Sequence, residues 1–137
     1  MDPVPKSEKN RREVTTIEFL AKKVLAGVPG HGAAELEAVW NKFEAGETEE
    51  AKFAQDLDKF ELLLQAVEYE RLMIGERDLS SFISVARKIQ LVEVKSWAEV
   101  VIKERNDMWE GWGKTPAVVG EETRKQLDNY YGNASSE

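Results

Sequence analysis

The chain has 137 residues, of which 42% are apolar: one domain's length, with enough apolar side chains for a core if helices pack. Its formal net charge of -7 opposes the field of a nucleic acid, and the absence of cysteine removes disulfide frameworks, thiolate metal sites and cysteine catalysis. No apolar run approaches the length of a membrane span and no signal-like region follows Met1, so a soluble intracellular, cytoplasmic protein without membrane or nucleic-acid partners is expected.

Met1–Lys6 holds two prolines and reads as an extended entry, after which Ser7 is placed to cap a helix running to about Ala26. Val14, Ile17, Phe19, Leu20, Val24 and Leu25 give that helix an apolar side. Lys9, Arg11, Arg12, Lys22 and Lys23 invite a phosphate site, but Glu8, Glu13 and Glu18 lie among them, and a solvated, self-balanced face is the reading. Gly27, Pro29, Gly30 and Gly32 form a break that carries His31, the single histidine. With no second histidine or cysteine to share an ion, His31 reads as a loop residue. A second amphipathic helix starts at Ala33, with Leu36, Val39, Trp40 and Phe43 on one side, and stops at Ala45-Gly46.

The longest helix follows, from Glu47 to Leu72, with Thr48 as its cap. Phe53, Leu57, Phe60, Leu64 and Val67 recur at spacings of four, three, four and three, which predicts a narrow core face. Ala51, Ala54, Leu62, Ala66 and Tyr69 make a second surface of smaller residues with Asp58 in its middle. A carboxylate aimed at a partly apolar surface calls for a cation, a hydrogen-bond network or water beside it. Asp56 and Asp58 point about 200° apart on a helix and cannot chelate one ion together.

Ile74–Arg77 reads as a turn, and Asp78 or Ser80 as the cap of a short helix through Phe82, Ile83, Val85, Ala86 and Ile89. Val94, Trp97, Ala98, Val101, Ile102, Met108, Trp109 and Trp112 then hold helical spacing over about five turns, ending near Gly111 and Gly113. This aromatic stripe reads as core. Thr115-Pro116 opens a connector, Gly120 precedes a final helix through Leu127, Tyr130 and Tyr131, and residues 132–137 form a frayed tail. With no strand-period segment, repeat or low-complexity tract, the class is all-α with about six helices. Neither a phosphate-cradling glycine loop nor a His-Glu-x-x-His motif is present.

Three stretches carry a family resemblance. AKFAQDLDKFELLLQAVEYE, from Ala51, closely resembles the last signature of the HD-domain phosphohydrolases, in the branch of HD domain-containing protein 2 and the bacterial 5'-deoxynucleotidases. VPKSEKNRRE, from Val4, resembles the segment after that branch's His-Asp motif, and RDLSSFISVARKIQLVEVKSW, from Arg77, resembles its tail. The resemblance covers about residues 2–100 and divides the chain into a C-terminal portion of an HD domain (1–100), a helical extension (101–132) and a tail (133–137). It implies hydrolysis of the 5'-phosphate from deoxyribonucleoside 5'-monophosphates. The implied divalent metal, Mn, Co or a similar ion, is held by a first His, a His-Asp pair and a distant Asp, and polarises the phosphate and activates a bound water. The distant Asp lands on Asp58, the only metal ligand the resemblance assigns here.

The first His and the His-Asp pair fall before Met1, and neither Asp2 nor His31 matches them. The expectation is therefore that Met1 is an internal methionine of a longer protein, and that this chain alone is inactive and does not retain the metal. A helix that packs on an absent half leaves the Asp58 surface exposed, with Leu62, Ala66 and Tyr69 open to solvent, in a marginal or self-associating chain. Family members commonly form dimers, which implies a possible homodimer. The alternative is a non-catalytic helical interaction or dimerisation module, with Asp58 paired to a Lys or Arg.

Overall fold

Residues 4–28 and 32–131 are described by the computed structural model, and among them no strand occurs. Among these residues six α-helices follow one another: α1 (Lys6–Phe19), α2 (Ala33–Ala45), α3 (Glu49–Leu72), α4 (Ser80–Ile83), α5 (Val92–Gly111) and α6 (Glu121–Tyr131). A π-helical turn, Leu20–Val24, continues α1, and a 3-10 turn, Ser84–Lys88, continues α4. The expected all-α class and helix number hold. The backbone divides into two compact units between Lys52 and Phe53. His31, Asp2 and the 132–137 tail lie outside the described residues.

In the first unit, α1 starts on Pro5, whose carbonyl accepts the Lys9 N–H at 3.0 Å, and no side chain caps it. The expected Ser7 cap is incorrect: Ser7 lies inside the first turn, because the fixed φ of Pro5 already sets the helical entry. Glu8 binds Arg11 at 2.8 Å and Arg12 at 2.7 Å, and is held at a pKa of about 2 chiefly by these two hydrogen bonds. Lys9 pairs with Glu13 and Lys22 with Glu18, so the basic residues of α1 balance their own helix, as the solvated-face reading expects. The Leu25 N–H reaches the Leu20 carbonyl at 2.9 Å, which makes the last turn π-helical. α2 ends as expected, on Gly46 at φ 62°, whose N–H returns to the Lys42 carbonyl. Thr48 Oγ1 accepts the Ala51 N–H at 3.2 Å and caps α3.

In the second unit the core is built by Leu63, Ala66 and Val67 of α3, Ile83 of α4, Ile89, and Val94 and Ala98 of α5. Each large side chain buried here is worth about 1.5–3 kcal/mol. Asp56 contacts Gln90 and Leu91, Phe60 contacts Trp97, and Glu70 contacts Arg105 and Trp109, so α3 and α5 run parallel, with α4 on the return path between them.

The buried face of α3 is not the one its apolar spacing predicts. Val67 is buried and Phe60 half-buried, but Phe53, Leu57 and Leu64 are 40%, 38% and 39% exposed. The buried seam runs through Asp56, Lys59, Leu63, Ala66, Val67 and Glu70, turned about 90° around the helix from the expected stripe. Half of that seam is charged, which hides it from a reading that counts apolar side chains. The second surface is corrected too: Ala66 is buried in the core rather than open, Leu62 is half-buried, and only Tyr69 is exposed. Along α5, Val94, Ala98 and Trp109 are buried as expected, whereas Trp97 is 44% exposed and meets Phe60 at a ring separation of 6.0 Å.

Candidate functional site

Asp56 is fully buried, and both its oxygens are committed. Oδ2 accepts the Gln90 N–H at 2.9 Å and the Leu91 N–H at 2.7 Å, while Oδ1 faces Lys59 Nζ at 3.3 Å. Leu91 is the N-cap of α5 and has no side-chain cap of its own, so a carboxylate from α3 supplies the acceptor at a helix start. A buried carboxylate is stable only with such partners.

At the other end of the seam, Glu70 is also fully buried. Its Oε2 accepts Arg105 Nε at 2.6 Å and Trp109 Nε1 at 2.9 Å, and its Oε1 accepts Arg105 Nη2 at 2.8 Å and the Leu79 N–H at 2.7 Å. Arg105 lies over the Trp109 ring, 5.5 Å from its centroid, and donates to Ser80 Oγ at 2.9 Å. Burial pushes the Glu70 carboxyl up, but the hydrogen bonds from Arg105, Trp109 and Leu79 outweigh it and hold the group below its ordinary range. Asp78 follows the same logic: burial raises it, and the N–H groups of Ala117 and Ser80, the Ser80 hydroxyl and the charge of Arg105 bring it down. Asp78 Oδ1 takes the Ser80 N–H at 2.7 Å, so of the two expected caps for α4 Asp78 does the capping while the Ser80 hydroxyl serves Arg105.

Asp58 sits two residues beyond Asp56, on the outside of α3, and is exposed rather than buried among small residues. The fully buried carboxylate at this end of α3 is its neighbour Asp56. Asp56, Lys59, Glu70 and Arg105 were all missed as buried groups by the sequence reading. On α3, Asp56, Lys59, Leu63, Val67 and Glu70 do keep three-four spacing, but a stripe half made of charged residues is outweighed by the apolar one beside it.

Among the described residues no three His, Cys, Asp or Glu side chains come together as a metal-binding group. Asp58 offers oxygen chemistry suited to a hard or borderline cation, but one exposed carboxylate is one ligand. The described donor set does not fit a resident divalent ion.

The HD domain family model matches residues 1–97. Among curated proteins, the chain is 37% identical over 106 residues to the 5'-deoxynucleotidase hdd1 of Schizosaccharomyces pombe, covering 77% of this chain and 54% of that protein. It is 32% identical over 104 residues to the 5'-deoxynucleotidase YGK1 of Saccharomyces cerevisiae, covering 76% and 48%. To the 5'-deoxynucleotidase HDDC2 of Mus musculus it is 37% identical over 106 residues, covering 77% and 51%. The chain spans about half the length of the curated relatives it matches. No solved structure matches it significantly. These findings define an HD-domain protein. Within that family, the chain belongs to the branch whose curated members are 5'-deoxynucleotidases.

Proposed function

We propose that the chain is the C-terminal portion of a metal-dependent HD-domain phosphohydrolase. The reaction is hydrolysis of 2'-deoxyribonucleoside 5'-monophosphates to deoxynucleoside and phosphate, and Asp58 is one metal-ligating carboxylate. The observation that carries this reading is the division of labour in Asp56-Leu57-Asp58: Asp56 spends both oxygens on Lys59 and the start of α5, whereas Asp58 is exposed on the outer side of the same rigid helix. A carboxylate with no structural task, held on a helix pinned at both ends of its buried seam, is suited to present a ligand. On this reading the remaining donors, a first His and a His-Asp pair, come from sequence other than residues 4–28 and 32–131. The 137-residue chain by itself then releases no phosphate from deoxyribonucleoside monophosphates above the buffer rate.

The test compares phosphate release from dAMP and dCMP, with Mn or Co, by this chain and by the same chain joined behind the upstream half of the fission yeast relative. Activity of the joined protein that falls at least about a hundredfold in Asp58→Asn, with loss of bound metal, is expected. Unchanged turnover and metal content in that variant would remove Asp58 from the site.

A second reading, a helical interaction or homodimerisation module, is favoured by the exposed stripe of Phe53, Leu57 and Leu64 on α3 with Trp97 of α5 near its middle. Sedimentation of the chain across a range of concentrations separates the two: a concentration-dependent dimer lost in Leu57→Glu supports the interaction module, and a monomer throughout removes it.

A further inference from the structure

Helix α5 ends at Gly111, and Gly113 then adopts φ +65°. The Lys114 N–H closes back on the Trp109 carbonyl at 3.1 Å, and Lys114 Nζ on the Ile74 carbonyl at 2.8 Å. Residues 115–120 leave this root without regular structure and lead into α6. The whole segment lies beyond the residues matched by the HD domain model. It nevertheless turns back to Asp78 and Arg87, both inside that match.

What holds it there is chiefly polar. The Ala117 N–H donates to Asp78 Oδ2 in a charge-assisted bond. Asp78 is itself fixed, because its Oδ1 accepts the Ser80 N–H at 2.7 Å and lies 3.7 Å from Arg105 Nη2. Further on, the Arg124 carbonyl accepts Arg87 Nη2 at 3.4 Å, a long and weak bond. Apolar burial adds little: Pro116 and Val119 are half-buried, Val118 is 88% exposed, and all of 121–126 is exposed. Between the segment and the body a cleft of about 470 Å³ stays open against Ile83, Ala86 and Ile102. A packed interior has few voids larger than one water, so the segment rests on the body without merging into its core. Nor does α6 sustain itself, since its 11 residues are too few for a stable helix in water without tertiary support.

We propose that residues 115–131 are a strap that opens and closes as one unit on an otherwise intact body, with the Asp78–Ala117 bond as its latch. The unit is cooperative because release of Ala117 also deprives α6 of the support that keeps it helical. Opening leaves the Glu70–Arg105 pair and the α3–α5 core in place, and bares the apolar wall of Ile83, Ala86 and Ile102. The strap does not involve Asp58 and is independent of the proposed reaction.

Native-state amide hydrogen exchange of the full chain, read by mass spectrometry on peptides covering 115–126 and, as a control, 56–70, tests this. In the wild type the strap amides should exchange at least about tenfold more slowly than an unstructured peptide and at least about tenfold faster than the control. Ala117→Pro removes the donor of the latch and Asp78→Ala its acceptor. Each should speed exchange of the strap by about tenfold or more while 56–70 stays within about twofold of the wild type. Asp78→Ala also uncaps α4, so if one variant loosens 56–70 the other decides. The proposal is overturned by strap amides as slow as the control, by strap amides as fast as an unstructured peptide, or by exchange indifferent to the deciding variant. Loosening of 56–70 in both variants also overturns it, since the strap would then not open apart from the body.

Discussion

Arg105 Nε lies 2.6 Å from Glu70 Oε2, and this pair ties the last signature of the HD domain to a helix that continues past the family match. Glu70 closes the Glu68-Tyr69-Glu70 end of that signature, and its four hydrogen-bond donors come from Leu79, Arg105 (twice) and Trp109. The C-terminal half of α5 is thus part of the same buried polar unit as α3. A buried ion pair gains little over a well-packed apolar pair but is costly to halve, because the surviving charge stays in place without a partner. Arg105→Ala is expected to lower stability by about 3–5 kcal/mol. Arg105→Lys retains the charge but not the two-pronged geometry, and should recover only part of this loss. Urea unfolding followed by Trp fluorescence measures both. A loss below about 1 kcal/mol in Arg105→Ala would mean that Glu70 finds water instead.

The same carboxylates predict how stability responds to acid. Glu70 and Asp78 are both held below their ordinary values in the fold. The unfolded chain therefore takes up protons first as pH falls through about 4, and the stabilisation, fully present above that range, is lost toward the lower folded values. Melting temperature should be flat with respect to these groups from neutral pH down to about 5 and then drop steeply. Asp78→Asn, which keeps shape but not charge, should make the acid limb shallower. An acid limb of identical slope in wild type and variant would exclude Asp78 as a contributor.

Asp56 and Asp58 are expected to separate cleanly in mutagenesis. Asp56→Ala strands Lys59, which is 6% exposed, and removes the acceptor for two N–H groups at the start of α5, a loss of about 2–4 kcal/mol. Asp58→Ala removes an exposed side chain and should stay within about 0.5 kcal/mol. Thermal melts of the two variants side by side check this. Equal losses would mean that Asp58 has structural work that its exposed position does not indicate.

Much of the helix order was legible because its punctuation is local. Thr48 accepts the Ala51 N–H, Gly46 turns left-handed after α2, and Asp78 takes the Ser80 N–H, each a residue type chosen by its own backbone. The resemblance in Ala51–Glu70 also led to the right family. What stayed hidden was which way α3 faces. Its apolar residues at 53, 57, 60 and 64 form the better periodic stripe, and its true buried seam contains Asp56, Lys59 and Glu70. Lys59 pairs locally with Asp56, but Asp56 and Glu70 are tolerable in a core only because Gln90, Leu91, Arg105 and Trp109, remote in sequence, supply their donors. Single-helix periodicity does not contain that information. The Ser7 expectation failed for a smaller reason: Pro5, two residues earlier, had already set the helix entry.

The turn after α3 supplies the last prediction. Gly75 adopts φ +64°, a conformation that costs an L-residue about 1 kcal/mol, and a Cβ placed there falls 2.9 Å from Trp112 Cε3. Lys114 Cδ, at 3.2 Å, belongs to a flexible chain that can move, although its Nζ donates to the Ile74 carbonyl at 2.8 Å. The Trp112 ring has less freedom, since it stands edge-on to Trp109 at 5.9 Å, and Trp109 is fixed by its bond to Glu70. Gly75→Ala should therefore destabilise by about 2–3 kcal/mol, combining backbone strain with the displacement of Trp112. The two contributions separate in a Trp112→Ala background, where the clash is absent and only the conformational cost of about 1 kcal/mol should remain. Denaturant midpoints for the four proteins of this cycle measure the difference. If Gly75→Ala costs the same in both backgrounds, the left-handed backbone alone is responsible and the contact with Trp112 carries no energy.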